Sequence, residues 1–242
     1  GGLLLETSGL NRLREVDARS GVFTAEPGIV LAELDRQLLP HGREQRLLPS
    51  TVRTASLGGY VAGGSGGIGS LRWGFLRDPG HLLGVEMVTV EPEPRLLQLD
   101  ARAARPLNHA YGTNGIFTAL TMASAPAVAW RQWVLEFDDW SVALAAAQQL
   151  AASALELKAL CLLEAAVAAR LPWPQGCPAA SGAAHRVLLL AAPDATPVLE
   201  SWGLELGGRL SWSAPQGQSC GIPLREVTWN HTTLHVRRKD PG

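Results

Sequence analysis

The sequence predicts an α+β protein built in two parts, and three observations support this. Apolar residues recur at helical spacing in some segments and alternate as in strands in others, along a chain of 242 residues. Glycine is dense between Gly58 and Gly74 and then scarce from Pro126 to Gly176. A pattern of strand, helix and strand occurs twice after Pro126. We therefore expect one domain over residues 1–126 and a second over 127–242.

The composition is that of an ordinary globular protein. Hydrophobic residues make up 46% of the chain and the formal net charge is −1. The positive charges are scattered arginines, so nothing indicates a nucleic-acid partner. No apolar run approaches the roughly 20 residues that span a bilayer, so we expect no integral membrane segment. The cysteines, Cys161, Cys177 and Cys220, lack the spacing of a metal site, which favours a reduced, cytoplasmic protein.

The first part is predicted to contain several strands and one helix. Leucines at positions 31, 34, 38 and 39 recur at helical spacing and end at Pro40, which predicts an amphipathic helix. The predicted strands are Leu3–Glu6, Gly21–Glu26, a hairpin of Leu83–Val90 with Arg95–Leu99, and Ile116–Ala123.

The second part is predicted to follow the ferredoxin-like plan, an antiparallel sheet with helices on one face. Asp138 or Asp139 is suited to cap a helix that runs through Ala152. The predicted strands are Trp130–Phe137, Leu155–Leu163, Val187–Ala191 and Arg209–Trp212, and the predicted helices that separate them also include Glu164–Leu171 and Pro197–Gly203.

The glycine-rich segment is the first candidate for function. Its glycines are Gly58, Gly59, Gly63, Gly64, Gly66, Gly67 and Gly69. Glycine is favoured where the backbone needs positive φ or where another group approaches it closely. Bare amides can also surround phosphate oxygens, so the segment predicts a ligand that carries phosphate. A flexible loop without a ligand is the alternative interpretation.

Two common glycine motifs do not fit this segment. The phosphate loop of nucleoside triphosphatases needs a lysine after its last glycine, whereas the lysines of this chain are Lys158 and Lys239. The dinucleotide fingerprint GxGxxG should open a helix, but the spacing of residues 64–69 deviates from it and residues 70–74 make a poor helix start.

Three ordered pieces of sequence carry a family resemblance. The first is VFTAEPG at 22–28, the second combines PS at 49–50, SLGGYVA at 56–62, LRWG at 71–74 and LGVEMV at 83–88, and the third is GTNGIFT at 112–118. In this order they resemble the flavin domain of the p-cresol methylhydroxylase (PCMH) and vanillyl-alcohol oxidase superfamily. The branch they resemble most contains the glycolate oxidase flavin subunit and D-2-hydroxyacid dehydrogenases.

The resemblance implies a partial PCMH-type FAD-binding domain followed by a ferredoxin-like antiparallel cap domain. It implies FAD as cofactor, with contacts from Pro49, Ser50, Ser56, Gly58, Gly59, Ala62, Gly115 and Ile116. The chain departs from the family pattern at Tyr60 and Gly64, where the family has asparagines, and at Tyr111, where it has an acidic residue. No histidine lies in the glycine loops to form a covalent flavin link, and His41 and His81 are expected to be surface residues in turns.

A second candidate site lies near the C-terminus, between Pro223 and His235. Imidazole, amide and indole groups are concentrated there, as in the wall of a substrate pocket. We assign His231 as a catalytic base or anion contact and Arg225 as a carboxylate partner. A metal pair of His231 with His235 needs a helix, whereas on a strand the two would lie roughly 13 Å apart, so no metal site is predicted. An ordinary surface strand remains the alternative.

The activity implied by the resemblance is oxidation of a small alcohol or 2-hydroxy acid, with hydride passing to the flavin. Arg72 is a second candidate for binding a substrate carboxylate. The family places further strands and a second glycine loop upstream of Leu3, so we expect this chain to be a fragment. The alternative function is therefore an incomplete or non-catalytic flavin-domain subunit that acts through a partner chain or electron acceptor. A phosphoryl-transfer enzyme is disfavoured, because suitably placed lysine and metal-binding carboxylates are lacking.

Overall fold

The structure is a computed structural model, and it describes residues 4–213 apart from residues 65, 172, 174, 175 and 181. The described chain divides into two compact units. The first runs through Gly67 and resumes over Trp73–Ala127. The second contains Ile68–Arg72 and continues from Val128.

The first unit is organised around an antiparallel sheet. Its strands are β1 (Leu13–Asp17), β2 (Val22–Ala25), β3 (Arg43–Gln45), β4 (Leu82–Val88), β5 (Leu96–Asp100) and β6 (Ile116–Pro126). The order across the sheet is β1-β2-β6-β4-β5, and β3 pairs with the far end of β6. The long strand β6 therefore contacts three other strands and is the centre of this unit.

Helices cover one face of this sheet. They are α1 (Leu31–Leu38), α2 (Leu57–Gly63) and α4 (Ala101–Ala104). The four-residue helix α3 (Ser70–Trp73) follows the glycine-rich segment, and its first three residues belong to the second unit. Leu31, Leu34 and Leu38 of α1 are all fully buried, which confirms the helical spacing expected from the sequence. They pack with Phe23, Val85 and Leu120 of the sheet in a single core.

From Val128 onwards, the described residues of the second unit form four antiparallel strands and three α-helices. Its elements are β7 (Arg131–Phe137), α5 (Trp140–Ala152), β8 (Leu157–Leu163), α6 (Ala165–Ala168), β9 (His185–Ala191), α7 (Thr196–Glu205) and β10 (Arg209–Ser213). The strand order is β10-β7-β9-β8. Asp139 caps α5, since its carboxylate accepts the N–H of Val142 at 3.0 Å. The core of this unit includes Trp133, Leu135, Phe137, Leu150, Leu189 and Leu199.

The predicted strand at the start of the chain is wrong. Residues 4–6 are not in a strand, and Leu4 and Leu5 are exposed. The edge strand is instead β1, which the sequence did not reveal because three of its five residues, Arg14, Glu15 and Asp17, are charged. An edge strand with one face in water tolerates such charges, and they discourage pairing with other chains.

The glycine-rich segment is also more regular than expected. It was predicted as loops between strands, but Gly58, Gly59 and Gly63 lie within helix α2. Residues 70–73, which make a poor helix start by sequence, form α3. In α2 the burial of Leu57, Tyr60 and Val61 stabilises the helix, and packing therefore outweighs the weak helix propensity of glycine.

Candidate cofactor site

The residues expected to bind the cofactor begin with Pro49 and Ser50, in the turn that precedes α2. Pro49 is buried and its carbonyl accepts the N–H of Val52 at 3.0 Å, while Ser50 is exposed. The N–H of Ala32 in α1 donates to the Val52 carbonyl at 2.9 Å. This turn is therefore fixed against the start of α1, with the Ser50 side chain facing solvent.

Ser56 begins the glycine helix. It is the N-cap of α2, and its hydroxyl oxygen accepts the N–H of Gly59 at 3.2 Å. The N–H of Leu57 donates to the carbonyl of Ile29, and the N–H of Gly58 donates to the carbonyl of Pro27 at 2.7 Å. These amides are engaged within the protein, so the open phosphate nest that the sequence suggested does not exist in the first turn of α2.

Gly58 and Gly59 have different structural roles. A Cβ atom on Gly58 would lie 2.6 Å from the Cβ of Pro27, so glycine is required there for the helix to pack on the Pro27 turn. Gly59 is exposed, and a Cβ atom there would meet only the Ser56 hydroxyl, at 3.1 Å. No backbone packing therefore explains glycine at position 59.

The outward face of α2 is made of Gly59, Ala62 and Gly63, which follow the i, i+3, i+4 pattern of one helix face. Gly59 is exposed and Ala62 and Gly63 are half-buried, Ala62 also touching the edge of the core, whereas Leu57, Gly58, Tyr60 and Val61 on the inner face are buried. Without long side chains, this face lets a flat ring approach the helix backbone closely. The shape of this face, together with the engaged amides of the first turn, therefore fits a flat ring better than a bare anion.

The loop of residues 108–115 precedes β6 in the chain and is hydrogen-bonded to the end of α2. The N–H of His109 donates to the carbonyl of Val61 at 3.0 Å, and the N–H of Tyr111 donates to the carbonyl of Ala62 at 2.9 Å. Gly64 ends α2 with φ of 63°, and a Cβ atom there would lie 2.4 Å from the Cβ of His109. Glycine at position 64 thus allows the helix to end in the left-handed conformation beneath this loop.

The same loop leads into Gly115 and Ile116, the last two residues expected to bind the cofactor. Gly115 is buried against Met87 and Val88 of β4, and Ile116 pairs with Val88 as the first residue of β6. Through the hydrogen bonds of the loop to Val61 and Ala62, the structure brings α2 and the start of β6 together. Residues from two of the three motifs recognised in the sequence are thereby joined.

Two residues of this loop were missed by the sequence analysis as candidates for function. His109 and Tyr111 have φ angles of 63° and 53°, and they are the non-glycine residues with positive φ in the described part of the chain. The Nε2 atom of His109 lies 2.9 Å from the Tyr111 hydroxyl. Their proximity to the GTNGIFT motif was the available signal, but the left-handed backbone is visible only in the structure.

Tyr60 lies on the buried side of α2. Its side chain is 4% exposed, and its hydroxyl has no hydrogen-bond partner among the described residues. Burial raises the pKa of this phenol well above its ordinary value. Tyr60 lines a cavity of about 20 Å³ with Gln45, Arg46, His81 and apolar side chains, which is room for about one water molecule.

His81 is buried, so its prediction as a surface residue is wrong, whereas His41 is exposed as expected. The Nε2 atom of His81 lies 2.9 Å from the carbonyl oxygen of Trp73. Burial lowers the pKa of His81, which favours the neutral imidazole. The Arg46 guanidinium lies 4.5 Å from the centre of the Trp73 ring and donates to the carbonyls of Gly80 and Ser124. These contacts therefore hold Trp73, the last residue of α3, in place.

The other candidate residues for substrate chemistry are not brought to this site. Arg72 forms an ion pair with Glu156 in the second unit. His231 and Arg225 lie outside the described residues, as does His235. Within the described part of the chain there is no cluster of histidine, cysteine and carboxylate side chains that could hold a metal ion.

Comparisons with known proteins agree with the flavin interpretation. Residues 1–95 match the family model described as an FAD binding domain. The chain is 30% identical over 88 residues to the glycolate oxidase subunit GlcD of Bacillus subtilis, covering 36% of this chain and 18% of that protein. It is 29% identical over 105 residues to an FAD-linked oxidoreductase of Mycobacterium tuberculosis, covering 43% and 22%.

A third curated relative is the D-2-hydroxyglutarate–pyruvate transhydrogenase of Saccharomyces cerevisiae, 29% identical over 133 residues, which cover 51% of this chain and 26% of that protein. Among solved structures, alkyldihydroxyacetonephosphate synthase superposes with a TM-score of 0.70 at 17% identity, covering 90% of this chain and 44% of that one. This likeness shows the fold. The chain thus spans about a quarter or less of its curated relatives.

The resemblance to PCMH-type flavoproteins that the sequence suggested is confirmed, and these comparisons indicate FAD as the cofactor. The residues matched by the family model include Pro49, Ser50, Ser56 and the whole of α2. In the described residues, no helix is both long and apolar enough to cross a membrane.

Proposed function

We propose that this chain, whose residues 1–95 match an FAD-binding domain, is part of an FAD-dependent oxidoreductase that oxidises a small alcohol or 2-hydroxy acid. The observation that carries the proposal is the joining of α2 and Gly115 by the hydrogen bonds of the 108–115 loop. Two curated relatives have names that refer to 2-hydroxy acids, glycolate and D-2-hydroxyglutarate, which supports this substrate class.

The residues that would hold FAD are Pro49, Ser50, Ser56, Gly58, Gly59, Ala62, Gly115 and Ile116. Ser56 keeps a hydroxyl proton to donate, because its oxygen already accepts the Gly59 N–H. Gly59 and Ala62 leave the outer face of α2 open to a flat ring. Gly58 acts indirectly, by allowing α2 to pack on Pro27. When bound, FAD would be the electron acceptor for a two-electron oxidation of the substrate.

We propose that the C-terminal segment between Pro223 and His235 orients the substrate and removes its hydroxyl proton. We assign Arg225 to the substrate carboxylate, which it can bind through two parallel hydrogen bonds. We assign His231 to the proton of the substrate hydroxyl, because imidazole titrates near neutral pH.

The second unit is proposed to be a ferredoxin-like cap that contributes substrate contacts. Its elements follow the order strand, helix, strand, strand, helix, strand, with a further short helix, α6, before β9. The strand order β10-β7-β9-β8, in which every pair is antiparallel, supports this assignment.

The second candidate is a flavin-domain subunit without activity of its own. The name of the Bacillus subtilis relative describes it as a subunit, and the chain covers 18% of that relative. In this case a partner chain or electron acceptor would complete the reaction.

An absorption spectrum tests the proposal. The chain and the protein expressed from its complete reading frame would each be purified and titrated with FAD. We expect a flavin spectrum that remains after gel filtration, and reduction of the bound flavin by a 2-hydroxy acid such as glycolate. Flavin that binds but is reduced by none of a panel of hydroxy acids and alcohols would favour the second candidate. A protein that binds no FAD in either form would refute both.

A further inference from the structure

The loop of residues 108–115, which precedes β6 and is hydrogen-bonded to the end of α2, has an unusual backbone conformation at His109 and Tyr111. Both residues have left-handed backbone, with φ of 63° and 53°. For a bulky residue this region is strained, whereas glycine occupies it freely. Strained backbone of this kind is found mainly at functional sites, where the side chain takes part in binding or catalysis.

Packing within the protein does not account for these two side chains. Tyr111 is 73% exposed, so it buries little of its ring. The hydrogen bonds from the N–H groups of His109 and Tyr111 to α2 are made by the backbone, and glycine would form them equally well. The same loop also buries the amide of Asn108, whose oxygen and nitrogen have no hydrogen-bond partner among the described residues. Buried amides without partners are rare and are often explained by a missing ligand or water.

The two side chains do interact with each other. The Nε2 atom of His109 lies 2.9 Å from the Tyr111 hydroxyl, and their ring centres are 5.1 Å apart. This hydrogen bond restricts the rotation of an otherwise exposed tyrosine. An exposed aromatic ring that is held in one orientation is prepared to meet a partner with little further loss of entropy.

The position of the pair identifies the partner. His109 lies against Gly64 at the end of α2, and the Tyr111 N–H binds the carbonyl of Ala62, whose side chain is on the outer face of the helix. Four residues later the chain reaches Gly115, at the start of β6. The pair therefore lies between two of the segments assigned to FAD.

We propose that Tyr111 is a binding residue for FAD, with its ring packed against a conjugated ring of the cofactor, and that His109 is a positioning residue that holds the tyrosine in place. The proposal rests on the assignment of FAD binding to this unit. Offset or edge-to-face contact between conjugated rings contributes about 0.5–1.5 kcal/mol beyond burial, which corresponds to roughly 2- to 13-fold in affinity.

The test compares three substitutions of Tyr111 in the protein expressed from its complete reading frame. FAD affinity would be measured by titration, and the FAD-free protein by thermal unfolding. We expect Tyr111→Ala to weaken FAD binding by about 5- to 10-fold and Tyr111→Phe, which keeps the ring, to weaken it by no more than about twofold. Tyr111→Gly should weaken binding as Ala does, yet leave the unfolding temperature of the FAD-free protein unchanged or higher, because glycine relieves the strain.

Substitutions of His109 test its positioning role. His109→Ala should weaken FAD binding by about 2- to 5-fold, and His109→Gln should restore it, since the glutamine amide can still bond to the tyrosine hydroxyl. Val90→Ala, at a side chain 77% exposed in the same unit, is the control and should not change affinity.

Each outcome decides the matter. If the wild type binds FAD, and if Tyr111→Ala and Tyr111→Gly both bind it as tightly as the wild type does, the inference is wrong while the proposed function stands. If Tyr111→Gly lowers the unfolding temperature of the FAD-free protein, the tyrosine is a structural residue and the inference is also wrong. If the wild type binds no FAD, the proposed function and the inference fail together.

Discussion

At the scale of single residues, a substitution at Gly59 tests cofactor binding without a loss of stability. It lies on the open face of α2, and only the Ser56 hydroxyl is close to the position of a Cβ atom. We predict that Gly59→Leu abolishes FAD binding, because the new side chain occupies the face that the ring approaches. The helix itself should not be weakened, since leucine is favoured over glycine in a helix by about 0.8 kcal/mol.

The matched control for this substitution is Ala145→Leu, which adds apolar volume at an exposed position of α5. FAD titration and thermal unfolding would be measured on both variants. If Gly59→Leu binds FAD as tightly as the wild type does, α2 is not part of the cofactor site. A large loss of stability would show instead that glycine at position 59 serves the fold.

His81 gives a prediction about pH. Burial lowers its pKa in the folded protein below the ordinary value of 6.5, so the unfolded chain takes up a proton more readily than the folded chain. Above pH 6.5 the histidine is neutral in both the folded and the unfolded chain, so it costs no stability. As the pH drops from 6.5 towards the lowered pKa, the unfolded chain takes up the proton first and the free energy of unfolding falls. Thermal unfolding across this range should show a smaller loss for His81→Gln than for the wild type.

His41→Gln is the control for His81, because it also removes a histidine, but an exposed one. Its unfolding temperature should follow the wild type at every pH. Equal acid sensitivity of His81→Gln and the wild type would contradict the assignment of this pH dependence to His81.

At the scale of elements, the cap of α2 links the start of the helix to the site. Removing a serine or aspartate N-cap lowers stability by about 1 kcal/mol, with a range of 0.5–2. We predict that Ser56→Ala has this effect on the first unit and also weakens FAD binding, since the hydroxyl is assigned to the cofactor. Asp139→Ala removes the cap of α5 in the second unit and should cause a similar loss of stability with no change in FAD affinity. Denaturant unfolding measures the stability of both variants, and FAD titration measures their affinity. If Ser56→Ala binds FAD as tightly as Asp139→Ala does, Ser56 has no direct role in FAD binding.

Elements were predictable where a single periodicity determined them. The leucines of α1 and the aspartate cap of α5 act locally, so the sequence was enough to locate both helices. Helix α2 was missed because its stability comes from burying Leu57, Tyr60 and Val61 against other segments, and no local rule predicts a helix with three glycines. Strand β1 was missed because it pairs along one edge only and three of its residues are charged, among them Arg14, whose partners Glu26 and Glu86 are distant in sequence.

At the scale of the whole molecule, the sequence identified the cofactor segments but not how they meet. The motifs at 49–62 and 112–118 were recognised separately, whereas His109 and Tyr111, whose N–H groups bond to Val61 and Ala62, lie outside both motifs. Backbone hydrogen bonds between distant segments depend on tertiary structure, so spacing alone cannot reveal them. The same reason explains His81, whose partner is the Trp73 carbonyl and whose burial comes from the core around it.

The assignment of FAD to the first unit predicts where the protein becomes more stable when the cofactor binds. A ligand that binds only the folded state raises the free energy of unfolding by about 2.7 kcal/mol at a concentration 100 times its Kd. Strand β6 is the centre of the first sheet and begins at Ile116, so its amides exchange only when this unit opens. We therefore expect saturating FAD to slow hydrogen exchange in β6 by up to about 100-fold, as measured by mass spectrometry of the peptides that cover residues 116–126. Gly59→Leu, under the same conditions, should show no such slowing. Unchanged exchange in β6 of the wild-type protein, with FAD demonstrably bound, would mean that the cofactor binds elsewhere on the chain.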